Sequence, residues 1–125
     1  MVLVDTSIWI EGLRTNGRVD ARARLDELLA ADEAAWCDVI RLELWNGARG
    51  DAEKKALRYL DSLIPRLPID ERVWAEAVEV AQVARRSGLT VNVGDLIIFA
   101  CARFYDVKIE HLDAHFTRLE KLPAH

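Results

Sequence analysis

The sequence predicts an α/β fold built on a mostly parallel sheet. Short apolar or β-branched runs alternate with segments whose apolar residues recur at helical spacing, the pattern of parallel strands joined by helices. The junctions carry Asp, Thr, Ser or Gly, residues that start and stop helices. Four carboxylates also stand at the edges of apolar segments: Asp5 after Met-Val-Leu-Val, Glu43 in Arg-Leu-Glu-Leu, Asp95 in Val-Gly-Asp-Leu-Ile-Ile and Asp113 after Val-Lys-Ile-Glu-His-Leu.

Val2, Leu3 and Val4 read as a strand ending at Asp5, after which Thr6 and Ser7 offer cap oxygens to a helix with Ile8, Trp9, Ile10 and Leu13. Residues 18–31 carry Val19, Ala23, Leu25, Leu28 and Leu29 as a helical stripe. Residues 34–38 read as a short strand and residues 39–48 as a helix closed near Gly47 and Gly50. The next helix runs from Asp51, read as its cap, to about Leu63. Pro65 and Pro68 bracket a stretch around Leu67 and Ile69 that fits a strand at a sheet edge, because proline cannot donate to a ladder. Asp70 caps a long helix to about Arg86, which Ser87-Gly88 ends. Residues 89–93 are extended, and Asp95 opens a helix to Tyr105 that is apolar nearly all round and therefore belongs in the core. Residues 107–109 form the last clear strand and residues 114–122 a closing helix.

A chain of 125 residues, 51% of them apolar, suits a single domain, 1–125, with a real core. The longest apolar run, residues 96–102, is far short of the roughly 20 that cross a bilayer, so no membrane segment is expected. Cys37 and Cys101 lie in apolar surroundings and read as buried reduced thiols, which points to a cytoplasmic location. A net charge of −4 argues against a generally basic coat for nucleic acid. Basic residues are nonetheless clustered: Arg14, Arg18, Arg22 and Arg24 form one group and Arg85 with Arg86 another, each a candidate for holding phosphates. The first group equally balances Asp20, Asp26 and Glu27.

Carboxyl ends of parallel strands converge on one crevice, so acids far apart in sequence meet there. Four acids together repel, and either raise their pKa values or hold a hard divalent cation. Oxygen ligands alone favour Mg²⁺ or Mn²⁺ over zinc, with Asp5 and Asp95 holding the ion directly or through water and Glu43 and Asp113 either completing its surroundings or holding a second ion. Such an ion activates water and neutralises charge on a phosphate, and in-line attack leaves a 5′-phosphate and a 3′-hydroxyl. Ser7 is placed to support Asp5. Each acid also has a plainer role. Asp5, Asp95 and Asp113 sit where first-turn acids and helix caps belong, and Glu43 borders the apolar side of its helix. His111-x-Asp113-x-His115 raises a competing site for zinc, nickel or copper, though no cysteine or further histidine joins it. Trp9 and Trp45 have the chemistry to stack on bases, but beside Ile8 and Leu44 they read as core or interface residues.

The segments Val-Asp-Thr-Ser-Ile-Trp-Ile-Glu at 4–11, Arg-Leu-Glu-Leu-Trp-Asn-Gly-Ala-Arg at 41–49, Gly-Asp-Leu-Ile-Ile-Phe-Ala-Cys-Ala at 94–102 and Leu-Asp-Ala-His-Phe at 112–116 resemble PIN-domain proteins, and among them the VapC toxins of bacterial toxin–antitoxin pairs. The resemblance implies a PIN-like, Rossmann-like three-layer sandwich and a metal-dependent ribonuclease, with Asp5, Glu43, Asp95 and Asp113 matching the acidic quartet, Thr6 and Ser7 as auxiliary residues and Arg14, Arg18, Arg85 and Arg86 as candidate RNA contacts. It also implies a homodimer, a VapB-type antitoxin and a structured RNA substrate such as transfer or ribosomal RNA. Two departures stand out. His111 occupies a position where the family often has Thr or Ser, and the chain ends at Leu122-Pro123-Ala124-His125, where relatives continue into a fifth strand. A sheet of four strands, or a very short fifth, follows. Two other readings stay open: a non-enzymatic Mg²⁺-binding regulatory module with a receiver-like α/β fold, and a catalytically silent PIN-like interaction protein. Asp5 has no adjacent acid and Lys108 lies inside its strand, neither of which suits a receiver.

Overall fold

The computed structural model describes residues 1–123. The order is β1 (Val2–Val4), α1 (Thr6–Leu13), α2 (Val19–Ala30), β2 (Ala34–Ala35), α3 (Asp38–Gly47), α4 (Asp51–Leu63), α5 (Glu71–Arg86), α6 (Val93–Tyr105), β3 (Lys108–Glu110) and α7 (Ala114–Glu120). The strands form a parallel sheet in the order β2-β1-β3, with Leu3 opposite Ala35 on one side and Ile109 on the other. Successive strand residues face opposite sides of a sheet. Leu3 and Val4 are both 0% exposed, so helices cover both faces and the molecule has the three layers expected.

The sheet is narrower than the four or five strands expected: three are present among the described residues. The stretch at the prolines supplies a single parallel bridge between Trp36 and Arg66, in which Trp36 N–H donates to Pro65 O (3.1 Å) and Leu67 N–H to Trp36 O (2.9 Å). Pro65 and Pro68 have no N–H to extend it, so the ladder stops after one rung, at the outer edge beside β2. Residues 124 and 125, part of the terminal stretch where a short fifth strand is expected, lie outside the described residues. The strand expected over 34–38 closes at Ala35, because Cys37 is already the N-cap of α3.

Helix ends follow local chemistry. Asp70 caps α5 by accepting from the N–H groups of Arg72 and Val73. At its other end Gly88 (φ +74°) donates to Arg85 O and Leu89 N–H to Ala84 O, a left-handed terminus that glycine adopts without strain. The α1–α2 corner is tight. A Cβ on Gly17 would stand 1.8 Å from the Glu11 carbonyl oxygen, so only glycine lets the chain pass there. Between the two helices, Gly12 lets Leu25 lie directly against α1.

The core joins β1 to one face of most helices, with α5 packed along α6. Trp9 is buried, donates to Val4 O at 3.0 Å and packs on Trp36 with ring centroids 5.4 Å apart, so it is a core residue and not a base platform. Cys37 and Cys101 are buried free thiols. Among the described residues no helix is long and apolar enough to cross a membrane.

Candidate active site

The central strand sets the site. β1 has β2 on one side and β3 on the other, so the chain reverses direction of travel across the sheet at β1, and a crevice opens beyond its carboxyl end. Asp5 is the first residue past that end. It is 4% exposed and caps α1. Its Oδ2 accepts the Ser7 N–H at 3.2 Å and the Ser7 hydroxyl at 2.6 Å, and Ser7 Oγ in turn accepts the Leu112 N–H at 3.1 Å. Ser7 thus ties the end of β1 to the segment that follows β3.

Glu43 comes from the middle of α3. Its Oε1 accepts the Thr6 hydroxyl at 2.9 Å, which turns the carboxylate towards the α1 terminus. The residue is solvent-exposed at the cleft rim, yet partial loss of solvent around the carboxyl raises its pKa, and nearby Asp5 and Asp95 push the same way against the Thr6 bond.

Asp95 lies in the first turn of α6 and is 9% exposed. It does not open the helix, as the sequence led us to expect. Asn92 is the cap: its Oδ1 accepts the Asp95 N–H at 2.9 Å and its Nδ2 donates to Asp95 Oδ2 at 3.0 Å. Burial raises the Asp95 pKa, Asp113 and Asp5 add to the rise, and the bonds from Asn92 and His115 oppose it.

Asp113 caps α7 by accepting the His115 N–H at 2.8 Å. Its cap role and its place beside Asp95 are both real. His115 joins the two acids, its Nδ1 lying 3.3 Å from Asp95 Oδ2 and 3.3 Å from Asp113 Oδ1. The His-x-Asp-x-His trio does not act together, because His111 points Nε2 towards Glu120 Oε1 (3.6 Å), packs on the Phe116 ring and uses Nδ1 to accept the Asp113 N–H (3.2 Å).

Asp5, Glu43, Asp95 and Asp113 therefore meet, with Thr6 and Ser7 as supports. Asn92 was not anticipated, although Asn-x-x-Asp before an apolar helix is a legible cap pattern. The arginines sit apart. Arg14 pairs with Glu11, Arg18 with Asp20, and Arg85 and Arg86 occupy the last turn of α5. None of the four forms an ion pair with the acids among the described residues. Exposed pairs of this kind are weak, and an incoming phosphate would compete for them.

The PIN domain family matches residues 2–122. Ribonuclease VapC11 of Mycobacterium tuberculosis is 32% identical over 126 residues, which span 98% of this chain and 93% of that protein. Among solved structures, VapBC2 from Rickettsia felis bound to a DNA fragment from its promoter superposes with a TM-score of 0.76 at 13% identity, covering 98% of this chain and 94% of that one. VapBC-5 from Mycobacterium tuberculosis, a member of the VapBC family of toxin–antitoxin systems, gives 0.69 at 23% identity over 95% and 90%. At these identities the structural likeness speaks to the fold.

Proposed function

Because the chain belongs to the PIN-domain family, which includes the VapC ribonucleases it is similar to, we propose that it is a metal-dependent endoribonuclease and the toxin of a toxin–antitoxin pair. The observation that carries this reading is the meeting of Asp5, Glu43, Asp95 and Asp113, from four separate segments, at the carboxyl side of a parallel sheet. Burial first, and then the neighbouring acids, raise the pKa of Glu43 and Asp95, and a divalent cation would relieve the repulsion between them. The carboxylate oxygens fit Mg²⁺ or Mn²⁺.

Asp5 and Asp95 would hold the ion, with Glu43 and Asp113 completing its surroundings. Bound there, a divalent cation supplies charge neutralisation at the scissile phosphate and a water made nucleophilic at neutral pH. The rest is done by the chain. Ser7 fixes Asp5, Thr6 turns Glu43 inward and Asn92 holds Asp95 through both ends of its amide. Hydrolysis in this site leaves 5′-phosphate and 3′-hydroxyl ends. It makes no use of the ribose 2′-hydroxyl, so the assignment to RNA rests on the similarity to VapC ribonucleases and not on the chemistry, and structured RNA, transfer or ribosomal, is the substrate class we propose. Arg14, Arg18, Arg85 and Arg86 are the proposed phosphate contacts away from the acids.

We assign the chain a cytoplasmic place, a homodimeric state and a VapB-type antitoxin. An arginine from such a partner would pair with the acids as a fork and displace metal.

The test is cleavage of total cellular RNA by the wild type and by Asp5→Asn, each with Mg²⁺, Mn²⁺ or EDTA. Discrete cuts that need both metal and Asp5 are expected. Equal background in every lane would return the chain to a binding role.

A further inference from the structure

We propose that His115 is itself a ligand of the metal centre, giving it one nitrogen donor and a preference for Mn²⁺ over Mg²⁺. The inference rests on reading the acids as a metal site and names a residue that the acidic quartet does not contain.

Three donor atoms, one each from Asp95, Asp113 and His115, lie within 4.8 Å of one another. Neighbouring ligands bound at about 2.1 Å on an octahedral ion lie about 3 Å apart. His115 Nδ1 stands 3.3 Å from each carboxylate, close to that spacing. A charge-assisted hydrogen bond would be shorter, about 2.7–2.9 Å, and a single Nδ1–H points along one direction while the nitrogen here is equidistant from two acceptors. The contact to Asp95 is a long hydrogen bond, and the same spacing lets the three donors turn to one shared ion. The side chain is 38% exposed, so the imidazole is open to an arriving ion.

His111 faces Glu120 and Phe116, which leaves one imidazole among carboxylates rather than the several nitrogen or sulfur ligands of a closed zinc site. Mg²⁺ seeks oxygen and dehydrates reluctantly, whereas transition metals accept imidazole. One nitrogen therefore tilts an otherwise oxygen-only site towards Mn²⁺.

Pulsed EPR of Mn²⁺ bound to the wild-type protein reads the ligand directly and needs no variant: a ¹⁴N coupling from imidazole is expected. Calorimetric titration of wild type and His115→Ala then reads selectivity. The Mn²⁺ Kd should rise at least about tenfold, since even loss of a ligand's supporting partner costs 10–100-fold. The Mg²⁺ Kd should change less than about threefold, because that ion draws mainly on oxygen. Saturable Mn²⁺ binding with no ¹⁴N coupling, or unchanged in His115→Ala, removes His115 from the centre and leaves the acids as the metal site. Failure of the wild type to bind either ion overturns the inference together with the metal-dependent reading beneath it.

Discussion

Ser7 Oγ donates to Asp5 Oδ2 at 2.6 Å, a short charge-assisted bond that fixes the carboxylate at the end of the central strand. Its loss frees Asp5 to rotate and leaves the Leu112 N–H without its acceptor. Ser7→Ala should lower RNA cleavage by roughly 10–100-fold, the worth of one hydrogen bond to a charged group, and Asp5→Asn should lower it further. Initial rates on a defined RNA substrate test the order. Equal loss in both variants would give Ser7 more than a holding role.

The helix that bears Glu43 is anchored by Arg41. Its guanidinium makes a fork with Asp61 of α4, Nε to Oδ1 at 2.6 Å and Nη2 to Oδ2 at 3.0 Å, and Trp45 Nε1 reaches the same carboxylate at 3.3 Å. Both side chains of the fork are about three-quarters buried. Asp61→Ala should destabilise the protein by about 1–2 kcal/mol, read from urea unfolding. A double-mutant cycle with Arg41→Ala should return most of that as coupling.

Acid crowding makes the metal-free protein pay for its site in stability, in a pH-dependent way. Burial and neighbouring acids raise the folded pKa of Asp95 above its ordinary 3.8 and that of Glu43 above 4.5. Between those ordinary values and the raised ones the folded chain holds more protons than the unfolded chain, so stability falls as pH rises through that window. In EDTA, Asp95→Asn should therefore melt higher than the wild type at pH 7, and its advantage should vanish below pH of about 3.8, where both forms of the carboxyl are protonated. Saturating metal should reverse the ranking, adding about 2.7 kcal/mol to the wild type at a hundred times Kd. Scanning calorimetry at two pH values, with and without Mn²⁺, reads both effects. A wild type that melts higher than the variant in EDTA at pH 7 would contradict the crowding argument.

Gly17→Ala should cost about 1–3 kcal/mol, the range for forced overpacking, because its Cβ would meet backbone and not a movable side chain. Thermal unfolding against the wild type checks it. A neutral result would mean that the α1–α2 corner relaxes freely.

Local chemistry explains which elements were legible in the sequence. The bounds of α5 agree with the sequence reading because Asp70 caps its start and Ser87-Gly88 marks its end, whereas α4 has the expected bounds but Gly50 is its cap and Asp51, read as the cap, is a first-turn acid. The quartet was legible because each acid borders an apolar segment. Misses arose where tertiary contact decides. Cys37 keeps an extended backbone (φ −125°, ψ 171°) but serves as the N-cap of α3, and the stretch between Pro65 and Pro68 yields one bridge instead of a strand. The sequence offered His115 only together with His111 and Asp113; that it sits on α7 facing Asp95 on α6 is three-dimensional information. Of the two readings the sequence left open for the first arginine group, the pairing with nearby acids holds for Arg14 with Glu11 and Arg18 with Asp20.

The strand order gives the site a schedule. β1 lies in the middle of the sheet, yet β3, which it must join, arrives about a hundred residues later, with Leu3 registered against Ile109. Asp5 and Asp113 stand on opposite sides of that late junction. A growing chain that has not docked β3 carries Asp5, Glu43 and Asp95 without Asp113 to complete them, and closing so long a loop is among the slower steps of folding. The cleft therefore cannot be assembled piecemeal: its four acids face one another only after β3 has paired with β1.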